Sequence, residues 1–488
     1  MRHILALGTL FAALSAAPAA APNIIFILAD DLGWTDLGCQ GSAYYETPRI
    51  DRMAAEGLRF TAGYTGGPNC QPTRSCLMSG QYNPRTGVYT VGGTGRFDTS
   101  MRPLVPVPNI VDLALEKVTV AEALKAAGYA TGMFGKWHLG DPEQFGPAKQ
   151  GFDEAIVSMG KHFKFNTYPK MEVAPDVYLA DFLTDHVVKF IESHKGGPFF
   201  LYLPHFGVHS PHDSKPDKEA HFKDKPAAGG HNSPAYAGMI ASVDESVGRV
   251  LDKLDALGIA ENTLVIFSSD NGGVGGYEEI FKDAPEGGGG KGRGKGKRGK
   301  GGGDADEGGG HGITANVPLR GGKGMLYEGG IRVPYIFRWK GVIPPGGTCG
   351  QPIHSVDLYP TLVDLAGAAP PKDYPLDGVS YAACLKSGGS AKISREALFW
   401  HFPGYLGSGK NIWRTTPVGV IRRGDHKLIE FFEDRHLELY NLADDLGETT
   451  NLAKDRPDLA KELHDQLVAW RERLHAPMPR PRGGDQAP

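Results

Sequence analysis

Oxygen-bearing side chains follow two apolar stretches of the sequence. Asp30 and Asp31 come directly after the run 24–28, and Asp270 and Asn271 follow a second apolar run further along the chain. In open α/β sheets, ligands bind beyond the carboxyl ends of the strands, so two such ends bring these four side chains together. Three carboxylates and one amide oxygen form a ligand set for a hard cation such as Ca²⁺ or Mg²⁺. An aspartate at a strand end is also a common turn former, so each pair alone indicates little.

A cysteine lies where the sequence predicts the first turn of a helix. Pro72 suits the start of that helix and Gly80 its end, which places Cys70 at the N-terminus and Arg74 one turn along. Free backbone amides and the helix dipole favour an anion there, so a nucleophile that attacks an anionic centre would be useful at this point. The alternative is a buried cysteine that packs as a small apolar residue. A thiolate is a soft ligand, and position 70 would match the hard donor set better if it carried oxygen.

Basic side chains follow two further predicted strands. Lys136 and His138 come after the third strand, and their spacing of two predicts that they share one face of an extended chain. The fourth strand is followed by His205, His209 and His212, and the spacing does not choose among them. A zinc site is an alternative use of these histidines. However, the sequence predicts no helix that would make an i, i+4 pair of them, and no thiolate accompanies them.

The elements that must position these residues alternate along the chain. Apolar strand patterns alternate with amphipathic helical patterns, which predicts an α/β fold with a large, mostly parallel sheet sandwiched by helices. Thr119 suits the cap of one helix and Gly128 its end. The predicted strands cover 23–28, 129–134, 199–203 and 263–267, and the predicted helices cover 118–128, 181–194 and 236–257.

The composition changes after about residue 385. Short strand patterns and a closing helix predict a smaller C-terminal α+β subdomain, with an antiparallel sheet plus a helix, over 386–488. The larger domain covers 22–385 and is interrupted by a low-complexity Gly/Lys insert at about 285–312. Six cations between 291 and 300 could attract an anionic polymer, and a solvated tether is the alternative. The predicted C-terminal strands are 398–401, 418–421, 427–432 and 437–440, and the predicted helix is 457–474.

Composition and the N-terminus limit the class of protein. The 488 residues carry 52 basic and 56 acidic side chains, a net charge of −4, so the basic excess typical of nucleic-acid binding is missing. Five cysteines are too few for a disulfide scaffold. Arg2, the apolar run 4–17 and small residues up to Ala21 predict a signal peptide over 1–21 and a periplasmic or secreted protein. No later stretch is apolar over a membrane-spanning length, so we expect no membrane span.

The sequence resembles the type I, formylglycine-dependent sulfatases, which are arylsulfatase-like members of the alkaline-phosphatase-like superfamily. The family signature Cys-x-Pro-Ser/Thr-Arg stands here as Cys70–Arg74, with Thr73 in place of the commoner serine and Cys76 close behind. Further segments match in family order and make 22–385 the catalytic domain. They are Asn23–Trp34, Gly135–His138, Val208–Pro211, Ser269–Gly272, Leu319–Lys323, Glu328–Pro334, Asp357–Thr361 and Glu438–Asp445.

The resemblance implies a role for each site residue. In this family the cysteine is oxidised by a formylglycine-generating or anaerobic maturation enzyme to 3-oxoalanine, and its hydrated aldehyde attacks sulfur to form a covalent sulfo-enzyme intermediate. Arg74 and Lys136 then support the diol and Lys323 holds sulfate oxygens. His138 deprotonates the diol during breakdown, and His209 faces the leaving oxygen. The residues implied to bind Ca²⁺, with Mg²⁺ possible, are Asp30, Asp31, Asp270, Asn271 and residue 70.

The implied activity is the hydrolysis of sulfate esters to an alcohol and inorganic sulfate. Export and the cationic insert favour sulfated carbohydrates, including polysaccharides, as substrates. Two alternatives stay open at this point. The first is a phosphonate or phosphate-ester hydrolase of the same superfamily, because sulfate and phosphate esters are tetrahedral oxyanions of similar size. The second is a non-catalytic protein that binds sulfated glycans.

Overall fold

The computed structural model describes residues 21–95, 99–278, 313–409 and 412–483. The predicted signal peptide lies outside these residues except for Ala21, and the predicted insert lies wholly outside them. Both stay predictions, as does the domain boundary at 385/386. No helix in the described ranges has the length and apolar character that crossing a membrane requires.

The described strands are numbered along the chain. They are β1 Asn23–Ala29, β2 Leu58–Tyr64, β3 Leu104–Val105, β4 Ala130–Gly135, β5 Glu154–Val157, β6 Phe199–Pro204, β7 Thr263–Ser269, β8 Arg332–Arg338, β9 Gly347–Cys349, β10 Ile353–His354, β11 Leu398–Phe402, β12 Leu406–Gly409, β13 Ile412–Thr415, β14 Val418–Arg423, β15 His426–Phe431, β16 Leu437–Asn441 and β17 Arg480–Pro481.

The described helices lie between these strands along the chain. The α-helices are Pro48–Ala55, Cys70–Ser79, Asn83–Thr86, Val120–Ala126, Leu179–His194, Pro216–Phe222, Pro234–Ala256, Glu328–Ile331, Ser355–Leu365, Ala382–Lys386 and Pro457–Arg473, and the 3₁₀ turns are Gly38–Gln40, Pro147–Lys149 and Ala260–Asn262. Thr119 caps the Val120–Ala126 helix in a capping box with Glu122, as the predicted cap requires. Gly80 ends the Cys70–Ser79 helix with φ of 65°, a left-handed conformation that glycine adopts without strain.

The large sheet is mostly parallel, which confirms the predicted fold class. Its strand order is β10-β2-β8-β7-β1-β6-β4-β5, and β9 also pairs with β2. β1 runs parallel to both of its neighbours, β6 and β7, while β8 is antiparallel to β7 and β2. The predicted strands at 23–28, 129–134, 199–203 and 263–267 correspond to β1, β4, β6 and β7, each within one or two residues of its predicted ends.

Helices cover both faces of the sheet. Side chains of β1 are apolar on both faces, and each face packs against helices. Ile24, Phe26 and Leu28 pack on one face, together with the helices Cys70–Ser79, Val120–Ala126 and Ser355–Leu365. Ile25 and Ile27 pack on the other face, with the helices Pro48–Ala55, Leu179–His194 and Pro234–Ala256. A strand buried on both faces has no room for alternating polar residues, which is why β1 reads as a continuous apolar run.

The C-terminal part contains a separate four-stranded antiparallel sheet, in the order β11-β14-β15-β16. The Pro457–Arg473 helix packs on it through Leu463, Leu467 and Trp470, which contact Ile421 and Leu428 in one apolar cluster. A large mixed sheet with a second, antiparallel sheet and helix is therefore the observed architecture, as predicted.

Candidate active site

The ends of β1 and β7 bring four predicted ligand residues together. The two strands are parallel neighbours and Ala29 pairs with Ser269, so the residues that follow each strand start side by side. The Asp31 amide donates to Asp270 Oδ1 at 3.2 Å, and Asn271 Nδ2 donates to Asp31 Oδ1 at 2.8 Å. Asp30, Asp31, Asp270 and Asn271 are all completely buried. The sheet register therefore fixes the donor set that the sequence predicts.

Cys70 begins the Cys70–Ser79 helix and points towards these carboxylates. Its Sγ lies 4.0 Å from Asp31 Oδ1, and its side chain is completely buried. One ligand atom from each of Asp30, Asp31, Cys70 and His209 lies within 4.8 Å of the others. Burial raises the pKa of the Cys70 thiol well above its usual value, so an unmodified residue 70 stays protonated at neutral pH. A protonated thiol is a poor nucleophile and a poor metal ligand.

Arg74 lies one turn along the same helix and pairs with Asp270. Its Nε and Nη2 donate to Asp270 Oδ2 at 2.9 and 2.7 Å, and its Nη1 donates to the carbonyl oxygen of Lys136 at 2.5 Å. Nη2 is also 3.9 Å from Asp30 Oδ2. The guanidinium thus connects the Cys70–Ser79 helix, the end of β7 and the end of β4.

Two lysines neutralise the aspartates that follow β1. Lys136 Nζ is 2.7 Å from Asp30 Oδ2, and Lys323 Nζ is 2.8 Å from Asp31 Oδ2. Burial alone would raise the pKa of Asp30, but Lys136 and the other nearby cations hold it well below its usual value. Burial and the charge of Asp30 raise the pKa of Asp270 to about 7.

The predicted extended conformation at Lys136 and His138 is wrong. β4 ends at Gly135, and His138 has a φ of 59°, which lies in the left-handed region. An alternation argument applies only to extended backbone, so the spacing of two does not place these two side chains on one face. Lys136 reaches Asp30 from the loop that follows the strand.

The structure distinguishes the three histidines that follow β6. His209 Nε2 lies 3.7 Å from Asp31 Oδ2, and its backbone carbonyl contacts His162 Nε2 at 2.8 Å. His205 is buried against the Pro234–Ala256 helix, where its Nε2 is 3.0 Å from Ser246 Oγ. The ring of His212 packs edge-on to Tyr236. Of the three, the geometry brings His209 to the carboxylates.

The donor atoms fit a hard divalent cation. Asp30 Oδ1 and Asn271 Oδ1 are buried oxygens without a hydrogen-bond partner among the described residues. An unsatisfied buried oxygen is costly, and a cation that accepts its lone pair removes that cost. Both oxygens lie beside Asp31, so the predicted ligand set is compatible with Ca²⁺ or Mg²⁺.

Comparisons with known proteins agree with this geometry. A family model described as "Sulfatase" matches residues 22–368. The chain belongs to the sulfatase family. A second model, "N-sulphoglucosamine sulphohydrolase, C-terminal", matches residues 322–473. A "Sulfatase" of Formosa agariphila is 36% identical over 93% of this chain and 90% of its own length. The N-acetylgalactosamine-6-sulfatase of Canis lupus familiaris is 33% identical over 78% of this chain and 68% of its own.

Solved structures share the fold of this chain. The crystal structure of Ps i-CgsB in complex with k-i-k-neocarrahexaose has a TM-score of 0.73 and 28% identity, and the match covers 92% of each chain. The phosphonate monoester hydrolase of Agrobacterium radiobacter has a TM-score of 0.65 at 20% identity, over 95% of this chain and all of its own, a likeness that concerns the fold alone. This sulfatase is accordingly a sulfuric ester hydrolase.

A buried polar network behind Asp31 escaped the sequence analysis. The hydroxyl of Tyr236 lies 2.7 Å from Asp36 Oδ2 and 3.0 Å from the Asp31 carbonyl oxygen. Thr314 Oγ1 donates to Asp36 Oδ1 at 2.7 Å, and His231 Nε2 is 3.7 Å from the same oxygen. These residues come from three segments that are distant in the sequence. Only Asp36 lies close in sequence to the predicted ligands Asp30 and Asp31, so no sequence pattern indicated the network. These residues hold the backbone that carries Asp31.

Closely packed glycines position Lys323. A Cβ atom on Gly322 would lie 2.0 Å from the Gly275 carbonyl oxygen, and one on Gly272 would lie 1.8 Å from the Gly329 carbonyl oxygen. Only glycine permits backbones to approach so closely. The Lys323 amide then donates to the Gly273 carbonyl oxygen at 3.0 Å, which fixes the lysine beside the end of β7.

Proposed function

We propose that this sulfatase is an exported enzyme that removes sulfate from carbohydrate sulfate esters, with Ca²⁺ at the buried carboxylates and with residue 70 in the formylglycine form. The observation that carries the proposal is the position of Cys70. It lies at a helix N-terminus, 4.0 Å from Asp31, within a set of oxygen donors that do not suit sulfur. Replacement of the thiol by an oxygen function removes the chemical mismatch.

Three cations support the binding of an anionic sulfate group. Arg74, Lys136 and Lys323 are fixed by the carboxylates that they neutralise, so their N–H groups need little reorganisation when the substrate arrives. Preorganised positive charge stabilises the additional charge that develops on sulfuryl oxygens during transfer. Asp30, Asp31, Asp270 and Asn271 would hold the cation, which would supply further electrostatic stabilisation of those oxygens.

The formylglycine would supply a hydroxyl of its hydrated aldehyde as the nucleophile, and a separate maturation enzyme must make it. His209 is the proposed proton donor to the leaving alcohol. Burial opposes its protonation, but the carboxylates of Asp31 and Asp30 raise its pKa overall. His138 is the proposed proton acceptor when the enzyme is regenerated.

Carbohydrate substrates are supported by the relatives. One relative is an N-acetylgalactosamine-6-sulfatase, and the crystal structure of another contains k-i-k-neocarrahexaose. Both relatives are more than a quarter identical to this chain, and both matches extend over most of it. Sulfate esters of galactose-type sugars are therefore the first substrates to test.

The test starts with the chemical state of residue 70. The chain is produced with a formylglycine-generating enzyme, and the peptide that contains residue 70 is analysed by mass spectrometry. Sulfate release is then measured from N-acetylgalactosamine 6-sulfate, a sulfated carrageenan oligosaccharide and 4-nitrophenyl sulfate. Phosphate and phosphonate esters of 4-nitrophenol are assayed in parallel, because they distinguish the alternative hydrolase of the same fold.

Substitutions at residue 70 make the result specific. Cys70→Ala removes the nucleophile and abolishes sulfate release, whereas Cys70→Ser accepts a sulfuryl group once and then stops, because a serine has no second hydroxyl to expel sulfate. Cys76→Ala, a buried cysteine of the same helix, is the matched control and retains activity. Turnover by Cys70→Ala, or faster hydrolysis of the phosphonate ester than of every sulfate ester, would refute the proposal.

A further inference from the structure

A cavity lies between the C-terminal sheet and the loop that carries Lys323. Its volume is about 210 Å³, and it opens to the solvent. Two arginines, three aromatic rings and two threonines line it, and none of the lining residues is acidic. The residues used below are Arg320, Tyr327, Trp413, Arg414, Thr415 and Phe431.

Arg414 connects the wall of the cavity to the loop that carries Lys323. A Cβ atom on Gly324, the residue after Lys323, would lie 2.9 Å from Arg414 Cδ, so the arginine stem packs directly on that backbone. The Gly324 amide donates at 2.7 Å to the carbonyl oxygen of Pro68, two residues before Cys70. The Arg414 guanidinium also lies 4.5 Å from the ring centre of Tyr277, whose hydroxyl donates to the Lys323 carbonyl oxygen at 2.9 Å.

The two arginines of the cavity differ in how they are held. Arg320 Nη1 donates to Tyr440 Oη at 3.0 Å and to the Glu448 carbonyl oxygen at 3.1 Å, and its guanidinium stacks on Tyr327. Arg414 Nε is buried and has no hydrogen-bond partner among the described residues. Stacking on Tyr277 uses the face of the Arg414 guanidinium and leaves its N–H edge directed away from the ring.

We propose that this cavity is a substrate subsite, in which Arg414 binds a second anionic group, a sulfate or a carboxylate, on the same sugar ring that carries the sulfate ester that is cleaved. The inference rests on the proposed function and specifies its substrate class as multiply charged glycans. A cavity whose lining carries two arginines and no carboxylate is complementary to an anion. A guanidinium edge binds a sulfate or carboxylate through two parallel hydrogen bonds. Trp413 and Phe431 offer apolar surfaces for the faces of the ring.

The size of the cavity limits its occupant. Its 210 Å³ lies below the roughly 300–1,000 Å³ typical of pockets for drug-sized ligands. One substituted sugar ring is therefore a suitable occupant, and longer glycans would extend into the solvent from its open side. The enzyme would then recognise the charge pattern of one or two rings at the end of a chain.

The test measures binding, so it does not depend on turnover. The full-length Cys70→Ala protein, loaded with Ca²⁺, is titrated calorimetrically with N-acetylgalactosamine 6-sulfate and with N-acetylgalactosamine 4,6-disulfate. We expect the disulfate to bind more tightly, and we expect Arg414→Gln to weaken its binding about ten-fold or more, since a bidentate charged contact is lost. The binding of the monosulfate is expected to change less than three-fold.

Two controls accompany this measurement. Arg456→Gln removes an exposed arginine at the start of the C-terminal helix and leaves both affinities unchanged. If circular dichroism shows that Arg414→Gln is not folded, Arg414→Lys is used instead. Lysine retains the positive charge but cannot make the two parallel hydrogen bonds of a guanidinium. Equal affinity for the two sugars, or an equal loss for both in the Arg414 variant, would overturn the subsite. Failure of the wild-type enzyme to release sulfate would instead refute the proposed function.

Discussion

Arg74 offers the sharpest test of how the site is assembled, through the substitution Arg74→Lys. The guanidinium makes three hydrogen bonds in a completely buried position, two to Asp270 and one to the Lys136 carbonyl oxygen. A lysine retains the positive charge but ends in a single nitrogen, so it cannot make all three hydrogen bonds in this geometry. Hydrogen bonds that involve charged groups contribute roughly 1.5–3 kcal/mol each. Partial relaxation of the site leaves an expected loss of about 3 kcal/mol in the free energy of unfolding.

An exposed arginine provides the matched control. Arg49 Nη1 lies 3.4 Å from Asp252 Oδ2, with side chains that are 47% and 54% exposed. Solvated ion pairs of this kind contribute about 0–1 kcal/mol, so Arg49→Lys should change stability by less than about 0.5 kcal/mol. The measurement is urea denaturation followed by circular dichroism, with and without Ca²⁺, and sulfate release is recorded on the same samples.

The same substitution also predicts a loss of activity. Removal of one preorganised donor from a developing anion lowers turnover by about 10²–10³-fold in enzymes of comparable design. If Arg74→Lys and Arg49→Lys unfold at the same urea concentration and release sulfate equally fast, the bidentate contact does not organise this site and the reasoning is wrong.

Three further predictions concern pH, packing and the cation. Asp244 is buried, and burial raises its pKa to about 6, so its contribution to stability is complete below pH about 4 and is lost as the pH rises through 6. We therefore expect Asp244→Asn to gain stability relative to the wild type between pH 5 and pH 7 in urea denaturation, and a constant difference would contradict this. Gly322→Ala places a Cβ atom 2.0 Å from the Gly275 carbonyl oxygen and displaces Lys323, so sulfate release falls sharply, whereas Gly196→Ala, with open space around it, changes nothing. Removal of the cation with a chelator lowers the melting temperature and stops sulfate release, and Ca²⁺ restores both. Full activity after exhaustive dialysis against the chelator would refute the cation site.

The position of the four oxygen donors could be predicted from the sequence because it follows from two local features. Each pair directly follows a buried strand, and the strands are parallel, so their carboxyl ends lie on the same side of the sheet. The structure shows β1 and β7 as neighbours, with Ala29 opposite Ser269. The backbone register alone therefore brings the two pairs of donors together, and the prediction needed no side-chain detail. The helix that starts at Cys70 could also be predicted from local features, because Pro72 suits the first turn of a helix and Gly80 suits its end.

The basic residues were harder to predict because loops position them. His205 continues directly from β6 and faces a helix, whereas His209 lies in the loop that returns to the carboxylates. Lys136 and His138 lie beyond the end of β4, where the chain leaves the extended conformation and alternation no longer applies. Lys323 depends on backbone contacts between distant glycines, and only the family resemblance pointed to it.

The charges of the site balance in pairs before any cation binds. Three carboxylates face three cations from different segments, and buried charges without such partners would be strongly destabilising. A divalent cation at this site would give the group a formal excess of two positive charges, which a sulfate monoester with its single negative charge would not fully neutralise. The remaining excess would stabilise the charge that develops on the sulfuryl and leaving oxygens. We therefore expect the loss of any one of the three basic side chains to lower stability in the ion-free protein and turnover in the loaded one. The pairs are Arg74 with Asp270, Lys136 with Asp30, and Lys323 with Asp31.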